Sequence, residues 1–490
     1  MRKVFSQTTF FIILSHLLPL SVMSQNGHYW TQQYGAKSML LSGSVIGGVE
    51  DLGAIYYNPG RLAQIDGKAF LLSADVFEYK KLKLNDPFGN NTSLAKNDFI
   101  GIPNIAAGTF EVPFLKSHTF GWAILTRNNT DLSFSYKNDI REDIYPDIPG
   151  EEFFGAEISL SNKTMEQWYA FTWAYNINNK LSIGLSNFLS IMNINKGNLT
   201  NLYVLEEETG RTAIFQDSKS IGINHTSLLW KFGLSYVREH AVYGLTVKTQ
   251  HLSLNGEGSY NKEFVFSGLE GIHENPYQFT ATHQRNLPVA YNSPWALGAG
   301  ATFMLGTKYK IHISTEYFTK INHYTLLKAN DYTSQSSGET FSFSYTDEHT
   351  DVMNWGLGLE MILNKTLSIY GSLSTDFAAS KSDLASFIEN ENVMTSLGSR
   401  SDYYHYGGGF VLNFRKTEIT FGTTYTGSKQ HFPKAFNFPD GGNGTDFFAS
   451  DSPSTLKWER WRFIVSFSVP FIKNVQKKIE EKIGIDPKLK

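Results

Sequence analysis

The chain has 490 residues, no cysteine and a formal net charge of −3, from 43 Lys and Arg against 46 Asp and Glu. Only 18% of it is charged, below the roughly 25% of a typical soluble domain, while 14% is aromatic. The absence of cysteine excludes a disulfide scaffold, a thiolate zinc site and a cysteine nucleophile. The near-neutral charge argues against a general nucleic-acid binder, which would carry a basic field.

The first 24 residues are typical of an export signal. Arg2 and Lys3 precede an apolar run over residues 10–23. This run is shorter than the about 20 residues that a membrane-spanning helix needs. It ends in small or modest residues before the predicted cleavage after Ser24, as a signal peptidase requires. We therefore predict a cleaved signal peptide over 1–24, with a buried first helix as the alternative.

Beyond the signal, large apolar residues alternate with small or polar ones. Trp355, Leu357 and Leu359 alternate with glycine and glutamate, and residues 460–471 alternate aromatic with Arg or Ser. A period of two in an extended chain sends one set of side chains to each face of a sheet. A soluble sandwich would alternate in the same way, with its apolar face packed inward. Similar runs occupy residues 167–175, 229–237 and 309–317.

Connection lengths separate the two folds. Tight polar turns lie near residues 178, 238, 306, 364 and 415, and long polar segments alternate with them, at 191–221, 258–287, 321–349, 378–401 and 428–457. Outer-membrane barrels have short periplasmic turns and long external loops. We therefore predict an all-β fold, a transmembrane antiparallel β-barrel of about 14 strands over residues 69–471. The predicted strands are 69–80, 103–113, 117–137, 164–177, 180–192, 222–237, 240–256, 289–305, 308–320, 350–363, 366–377, 402–414, 417–427 and 458–471.

Residues 25–68 precede the first strand and do not alternate. They are rich in small residues and carry the acidic pair Glu50-Asp51, followed by Asn58-Pro59-Gly60. A barrel of this size has room for contents. We predict that this segment is a plug, or hatch, folded into the lumen; a periplasmic extension without a role in gating is the alternative.

The same stretch resembles the N-terminus of the FadL/TodX family of outer-membrane transporters of hydrophobic compounds. In that family a segment rich in Gly and Ala, with an acidic pair, leads to an Asn-Pro-Ala box before the first strand. Asn58 and Pro59 match the box, and Gly60 replaces the usual alanine. The resemblance implies 14 strands, an N-terminal hatch, a lateral opening in the wall and passive entry of long-chain fatty acids or hydrocarbons. It assigns Asn58, Pro59 and Gly60 to the hatch motif.

Phenylalanines within the long polar segments are candidate substrate contacts, because exposed aromatic residues often mark a binding surface. The alternative is that these segments pack on one another as a lid over the barrel mouth. A carboxylate head group would need a cation, for which Lys434 and Arg285 are candidates. The substrate-binding candidates are Phe264 and Phe266 in one segment, and Phe436 and Phe438 in another.

A basic tail over residues 472–490 follows the last strand and is predicted to form a short amphipathic helix in the periplasm. It is a candidate contact for a periplasmic protein partner. The other predicted partners are the lipid bilayer of a Gram-negative outer membrane and a hydrophobic small-molecule ligand; no nucleic acid is expected.

No enzyme activity and no cofactor are predicted, since the sequence contains no HExxH, GxSxG or phosphate-binding loop. No metal site is predicted either, because the Gly-rich loop over residues 440–446 lacks the closing glutamate of a calcium loop. The predicted function is passive uptake of hydrophobic small molecules, long-chain fatty acids or hydrocarbons, through a hatch-gated barrel. The alternatives are a non-transporting barrel that acts as a docking or secretion-shuttle subunit, and a general polar porin.

Overall fold

The computed structural model describes residues 27–470 apart from 66–68, 72–74, 88–92, 111, 113, 116, 143–149, 209, 269–275, 380–392, 396–400, 415–416 and 433–453. The predicted signal peptide, the basic tail, Lys434, Phe436 and Phe438 lie outside these residues. Within the described part of the chain, no helix is long and apolar enough to cross a membrane.

Nineteen strands form one antiparallel sheet. Five pairs of consecutive strands (β1/β2, β3/β4, β5/β6, β10/β11 and β12/β13) each make one wall strand, and nine further strands each make one. The described part of the wall therefore has fourteen strands, which confirms the predicted number. The last strand, β24, pairs with both β1 and β2 and so joins the end of the sheet to its beginning. The bounds are β1 Ala69–Leu71, β2 Asp75–Asn85, β3 Ser93–Pro103, β4 Ile105–Phe110, β5 His118–Asp131, β6 Phe134–Glu142, β7 Glu152–Asn176, β8 Leu181–Glu206, β9 Thr212–Arg238, β10 Ala241–Lys248, β11 Leu252–Ser267, β12 Tyr277–Pro288, β13 Ala296–Leu305, β14 Tyr309–Phe318, β15 Ile321–Lys328, β16 Tyr332–Thr333, β17 Thr340–Phe341, β18 Ser344–His349, β19 Val352–Ile362, β20 Leu367–Asp376, β21 Val393–Thr395, β22 Tyr403–Phe414, β23 Thr417–Phe432 and β24 Ser454–Pro470.

The alternating pattern places apolar side chains on the outside of this wall. On β19, Met353, Trp355 and Leu357 remain about half exposed on the outer face, whereas Asn354 between them is fully buried. The same outward exposure recurs around the barrel, for example at Phe232 and the other outward residues of β9. An apolar outer band with polar side chains inside is the arrangement of a transmembrane barrel.

Several strands run well beyond this apolar band. Strands β7, β8 and β9 have 25, 26 and 27 residues. The prediction of long loops over 191–221 and 258–287 is therefore wrong, because β8 with β9, and β11 with β12, continue as paired strands through most of these segments. Outside the lipid the outer face of a strand no longer has to be apolar, so the two-residue sequence pattern weakens although the hydrogen-bond ladder continues. The second wall strand likewise begins at Ser93 and not at residue 103.

The edge of this extended sheet along β12 is covered by side chains. The Gln335 side chain accepts a hydrogen bond from the Ala281 N–H at 2.8 Å and donates one to the Ala281 carbonyl at 2.9 Å. Ser336 does the same with Phe279, accepting from its N–H at 2.9 Å and donating to its carbonyl at 3.1 Å. Unpaired strand edges otherwise pair with other chains, so these contacts close the edge.

Residues 27–65 lie inside the wall, and we call them the plug. They form two short helices, Ala36–Leu40 and Ala54–Tyr57, and a 3₁₀ helix, Pro59–Gln64, which pack against strands from β5 to β24. Hydroxyl groups on the inner face satisfy the plug backbone, because a loop-rich segment leaves many carbonyls without partners. Four such bonds, of 2.6–3.0 Å, run from Ser182, Ser186, Ser372 and Ser374 to the carbonyls of Gly60, Ile55, Leu40 and Ser42.

Candidate functional site: a chamber between the plug and the wall

The box Asn58-Pro59-Gly60 fixes the plug to the wall. The Asn58 amide donates to the carbonyl of Ile46 at 2.9 Å and to that of Leu234, on β9, at 3.1 Å, while its oxygen accepts from the Gly60 N–H at 3.1 Å. Pro59 begins the 3₁₀ helix, where its missing N–H costs nothing. A Cβ on Gly60 would lie 2.8 Å from the Gly233 carbonyl oxygen. This close approach explains why glycine stands where the family box has alanine.

Replacing Asn58 with alanine should loosen the plug, because three hydrogen bonds are lost in a buried site. We expect the free energy of opening of the 3₁₀ helix to fall by about 3 kcal/mol, as measured by amide hydrogen exchange. Asn364→Ala is the matched control, since Asn364 accepts two backbone N–H bonds in an exposed turn. Equal losses in the two variants would contradict an anchoring role for Asn58.

The lower part of the plug is held by ion pairs near the short turns. Lys37 lies 2.7 Å from Glu418 on β23, and Glu50 lies 2.6 Å from Lys310 on β14. Burial lowers the pKa of Lys37, but the charges of Glu418, Glu50 and Glu360 together outweigh that effect, so its pKa lies above the usual range. Burial also raises the pKa of Asp51, although this carboxylate accepts hydrogen bonds from Ser38 and Gly53.

The first residues of the plug, 27–33, form a strap across the barrel interior. Asp376, at the end of β20, accepts hydrogen bonds from the N–H groups of Tyr29 and Trp30, both at 2.9 Å, and from the Thr31 hydroxyl at 2.6 Å. Arg460 on β24 donates to the Thr31 carbonyl at 2.6 Å. One carboxylate and one guanidinium therefore hold successive residues of the strap.

Arg462 on β24 provides a second attachment. It forms an ion pair with Glu78 at 2.8 Å and donates to the side chains of Gln33, at 2.9 Å, and Gln32. The side chains of Arg460 and Arg462 are 2% exposed. Their alternation with aromatic residues in the sequence placed both on the inner face, and the structure confirms this.

A second segment inside the barrel, which we call the lid, contacts the strap through His349. Residues 319–351, between β14 and β19, fold inward and pack on the inner faces of β8, β9 and β11. Phe343 of the lid stacks on Tyr260 of β11 at 4.0 Å between ring centroids. The sequence predicted a long polar segment over residues 321–349. This segment connects β14 and β19 as expected, and its apolar residues form a buried cluster with the wall. The lid residues of this cluster are Leu326, Leu327, Ala329, Phe343 and Tyr345.

A chamber of about 260 Å³ lies between the strap, the lid and the wall. One side is apolar and is formed by Met192 and Ile194 of β8 with Leu326 and Tyr345 of the lid. The other side is polar and is formed by residues 127–131 of β5. Such a chamber suits a molecule that has an apolar body and a small polar end.

Two cations in the chamber make no direct ion pair with a carboxylate among the described residues. Arg127 donates to the Tyr29 carbonyl at 3.0 Å and lies 5.6 Å above the Trp168 ring. Lys196, only 5% exposed, donates to the Tyr345 hydroxyl at 2.8 Å. Carboxylates act on both at longer range, Glu166 and Asp376 on Arg127 and Asp347 on Lys196, but neither cation has a carboxylate oxygen as a direct acceptor in the described part of the chain, and buried cations favour such an acceptor. These two therefore provide sites where an anionic group would be stabilised.

A β-bulge aims Arg127 into the chamber. The pairing of β5 with β7 shifts register between Thr126 and Asn128, so Arg127 is the extra residue. Bulges redirect single side chains in this way. The sequence analysis missed Arg127, and the only available signal was the loss of alternation over residues 126–129. It also missed Lys196, which lies in a segment predicted to be a loop.

The wall strands separate beside the chamber. Strand β4 pairs with β5 as far as Ile105 and Leu125. Beyond that point, among the described strands, β3 pairs only with β2, and the rest of β5 pairs only with β7. Polar contacts bridge this wall break, including Lys80 to the Asn129 carbonyl at 3.2 Å and Lys96 to Asp131 at 3.3 Å. Because residues 127–132 line both the break and the chamber, the two are adjacent.

A second cavity, of about 500 Å³, lies at the outer end between the β11–β12 hairpin and the lid. Phe264 lines it together with Tyr332 and Phe341, whereas Phe266, on the same strand, is not among its lining residues. Arg285 is exposed on β12 and donates to His283 at 2.9 Å. Of the four predicted substrate contacts, Phe264 and Phe266 are on the paired strand β11 and only Phe264 lines this cavity; Phe436 and Phe438 lie outside the described residues.

Solved structures with the same architecture support the family resemblance. The toluene transporter TodX of P. putida matches over 90% of this chain and 99% of its own, with a TM-score of 0.55 and 11% identity. A Pseudomonas aeruginosa FadL homologue matches over 91% of this chain and 100% of its own, with a TM-score of 0.54 and 9% identity. This chain has the FadL/TodX fold. The CymD monoaromatic hydrocarbon channel also shares this fold. It matches over 91% of this chain and 99% of its own, with a TM-score of 0.52 and 12% identity.

No protein-family model matches the chain, and no curated protein matches it by sequence. At 9–12% identity the likeness to these structures concerns the FadL/TodX fold alone. The position of the plug and the contacts of the chamber therefore come from this chain's own residues.

Proposed function

We propose that the protein carries hydrophobic small molecules passively across the outer membrane. A molecule enters from the side of the long strands, past the cavity lined by Phe264, and occupies the chamber above the strap. It leaves sideways through the wall break between β3 and β5 into the bilayer. The observation that carries this proposal is the adjacency of the chamber and the break, which share residues 127–132.

A sideways exit suits an apolar cargo for a physical reason. Returning each CH₂ group from an apolar site to water costs about 0.8 kcal/mol, so a water-filled route would retain such a molecule in the first apolar site. An exit into lipid avoids this cost. The solved FadL/TodX structures include proteins named as a toluene transporter and a monoaromatic hydrocarbon channel, which agrees with this cargo.

The plug argues against the alternative of a general polar porin. Such a porin needs a lumen open to water, whereas residues 27–65 pack closely against the inner wall. The docking-subunit alternative depends on the tail over 472–490, which lies outside the described residues, and no contact within the described residues favours it.

The two cations extend the proposal to the polar end of the cargo. A carboxylate in the chamber would accept hydrogen bonds from Arg127 at its polar side or from Lys196 beside Tyr345, since both cations line the chamber without a direct carboxylate acceptor among the described residues. We therefore propose long-chain carboxylates as the preferred cargo over bare hydrocarbons. The apolar side, with Met192 and Ile194, would contact the chain.

The first test is equilibrium binding of a fluorescent long-chain fatty acid to the purified, delipidated protein. Saturable micromolar binding is expected, with altered affinity in a variant that lacks residues 25–60. Filling the chamber should weaken binding further. Ile194→Trp places a large ring in the chamber, because Ile194 is 6% exposed and faces inward. We expect affinity to fall by at least about tenfold, since overpacking costs about 1–3 kcal/mol.

Ile191→Trp is the matched control, because Ile191 lies on the same strand, is 38% exposed and faces outward. It should bind like the unmodified protein. Absence of saturable binding in the correctly folded barrel, or equal binding by the two tryptophan variants, would overturn the proposal.

A further inference from the structure

The strap and the lid meet at one pair of side chains. The Tyr29 hydroxyl of the strap lies 2.8 Å from Nδ1 of His349 at the end of the lid. Nε2 of His349 lies 3.1 Å from Asp347. In the neutral imidazole, the bond to this carboxylate places the proton on Nε2, so Nδ1 is the acceptor and the tyrosine donates. Burial raises the pKa of the Tyr29 hydroxyl well above its usual range, so the donor proton is retained.

Tyr29 also lies at the hinge of the lid. Its ring stacks on Phe318 at 4.3 Å between centroids, and Phe318 is the last residue of β14 before the lid begins. Phe318 pairs with Val352, the first residue of β19, so both ends of the lid start from the same point of the wall. A movement of the lid about this point therefore acts directly on the Tyr29 ring and its hydroxyl.

The backbone on either side of the Tyr29 ring belongs to the attachment of the plug. The Tyr29 N–H bonds to Asp376 and its carbonyl accepts from Arg127. The rest of the strap continues from there to Gln33 and the first plug helix. A change at the Tyr29 side chain is thus transmitted to the groups that hold the plug at the chamber.

We propose that Tyr29, His349 and Asp347 form a latch that makes the lid and the plug open together. Tyr29 and His349 both line the chamber, so a molecule that enters between them must separate them. Separation frees the lid above and weakens the strap below in one step. The latch adds to the proposed function a coupling between the outer entrance and the plug. It is tested through contacts that are present in the unliganded protein.

The first test is amide hydrogen exchange of the unliganded protein, followed by mass spectrometry. Tyr29→Phe removes the hydroxyl and keeps the ring that stacks on Phe318. We expect residues 36–57 of the plug and 344–349 of the lid to exchange about tenfold faster, because one buried hydrogen bond is lost. Tyr169→Phe is the control, since its hydroxyl is on the outer face and bonds to Gln167, and it should change neither segment.

The second test uses the absence of cysteine in the chain. A Cβ on Gly27 would lie 2.5 Å from Nδ1 of His349, so the pair Gly27→Cys and His349→Cys brings two thiols together once the imidazole is removed. The oxidised pair should slow exchange of residues 36–57 below that of the unmodified protein, and reduction should reverse the effect. Each single cysteine variant should be insensitive to oxidant.

Three results would overturn the latch: unchanged plug exchange in Tyr29→Phe, equal plug exchange in the oxidised and reduced double variant, or failure of the two cysteines to cross-link. None of these measurements uses a ligand. A protein that binds no fatty acid but shows the expected exchange would refute the proposed function and leave the latch intact, and the reverse result would do the opposite.

Discussion

Replacing Gly184 with valine is expected to displace the plug and turn a closed barrel into one that conducts ions. A Cβ at this position would lie 2.3 Å from the carbonyl carbon of Pro59 and 2.6 Å from the Gly60 nitrogen. Both atoms belong to the plug backbone, which cannot rotate away as a side chain can. Overpacking of a close contact costs about 1–3 kcal/mol, occasionally more, and the lost bond from Ser182 to Gly60 adds to this.

The measurement is conductance in planar bilayers, with uptake of a hydrophilic dye into loaded vesicles as a second readout. Gly371→Val is the matched control, because Gly371 is also in a wall strand and a Cβ there meets nothing within 4 Å. Valine also favours strands, so this control should fold and remain closed. Similar conductance in the two variants would show that the contact at Gly184 does not retain the plug.

Replacing Arg127 with methionine is expected to weaken binding of a long-chain carboxylate by about 10- to 100-fold, because a hydrogen bond to a charged group contributes about 1.5–3 kcal/mol. Affinity for the alcohol of the same chain length should change little, since an uncharged end gains less from a guanidinium. The measurement is competition of the acid and the alcohol against one fluorescent ligand, in the variant and in the unmodified protein.

Arg285→Met provides the matched control. Arg285 was a candidate for the head group on sequence grounds, but it is exposed on β12 and bonds to His283, far along the chain from the bulge at Arg127. We expect it to bind acid and alcohol like the unmodified protein. If Arg127→Met weakens both ligands equally, the arginine holds the strap through Tyr29 and does not recognise a charge.

The fold was accessible from the sequence because lipid imposes a strict pattern. Where strands cross the apolar band, as at Trp355, Leu357 and Leu359, every second residue must be apolar, and the strands were found there. Where β8 and β9 continue beyond the band, lipid no longer requires an apolar outer face and only the lid keeps part of the inner face apolar, so residues 191–221 were assigned to a loop. The strands were therefore predicted correctly within the bilayer and missed where they extend beyond it.

The site was accessible only in part. Asn58 and Pro59 were found through a local motif, because the plug box is continuous in sequence. Arg127 and Lys196 could not be found in this way, since their importance depends on a bulge in β5, on the strap and on a lid more than a hundred residues further along the chain. A pairing between distant segments leaves no periodic signal in one sequence.

The covered edge of β12 has a consequence for the protein's surroundings. In the outer-membrane location proposed above, a sheet that stands clear of the lipid would meet copies of itself, and an open edge would let these copies join strand to strand. The amide of Gln335 matches the spacing of a backbone N–H and C=O, so it occupies the place that a neighbouring molecule would take. Long strands can therefore extend above the lipid while this edge stays unavailable for strand addition by a neighbouring copy.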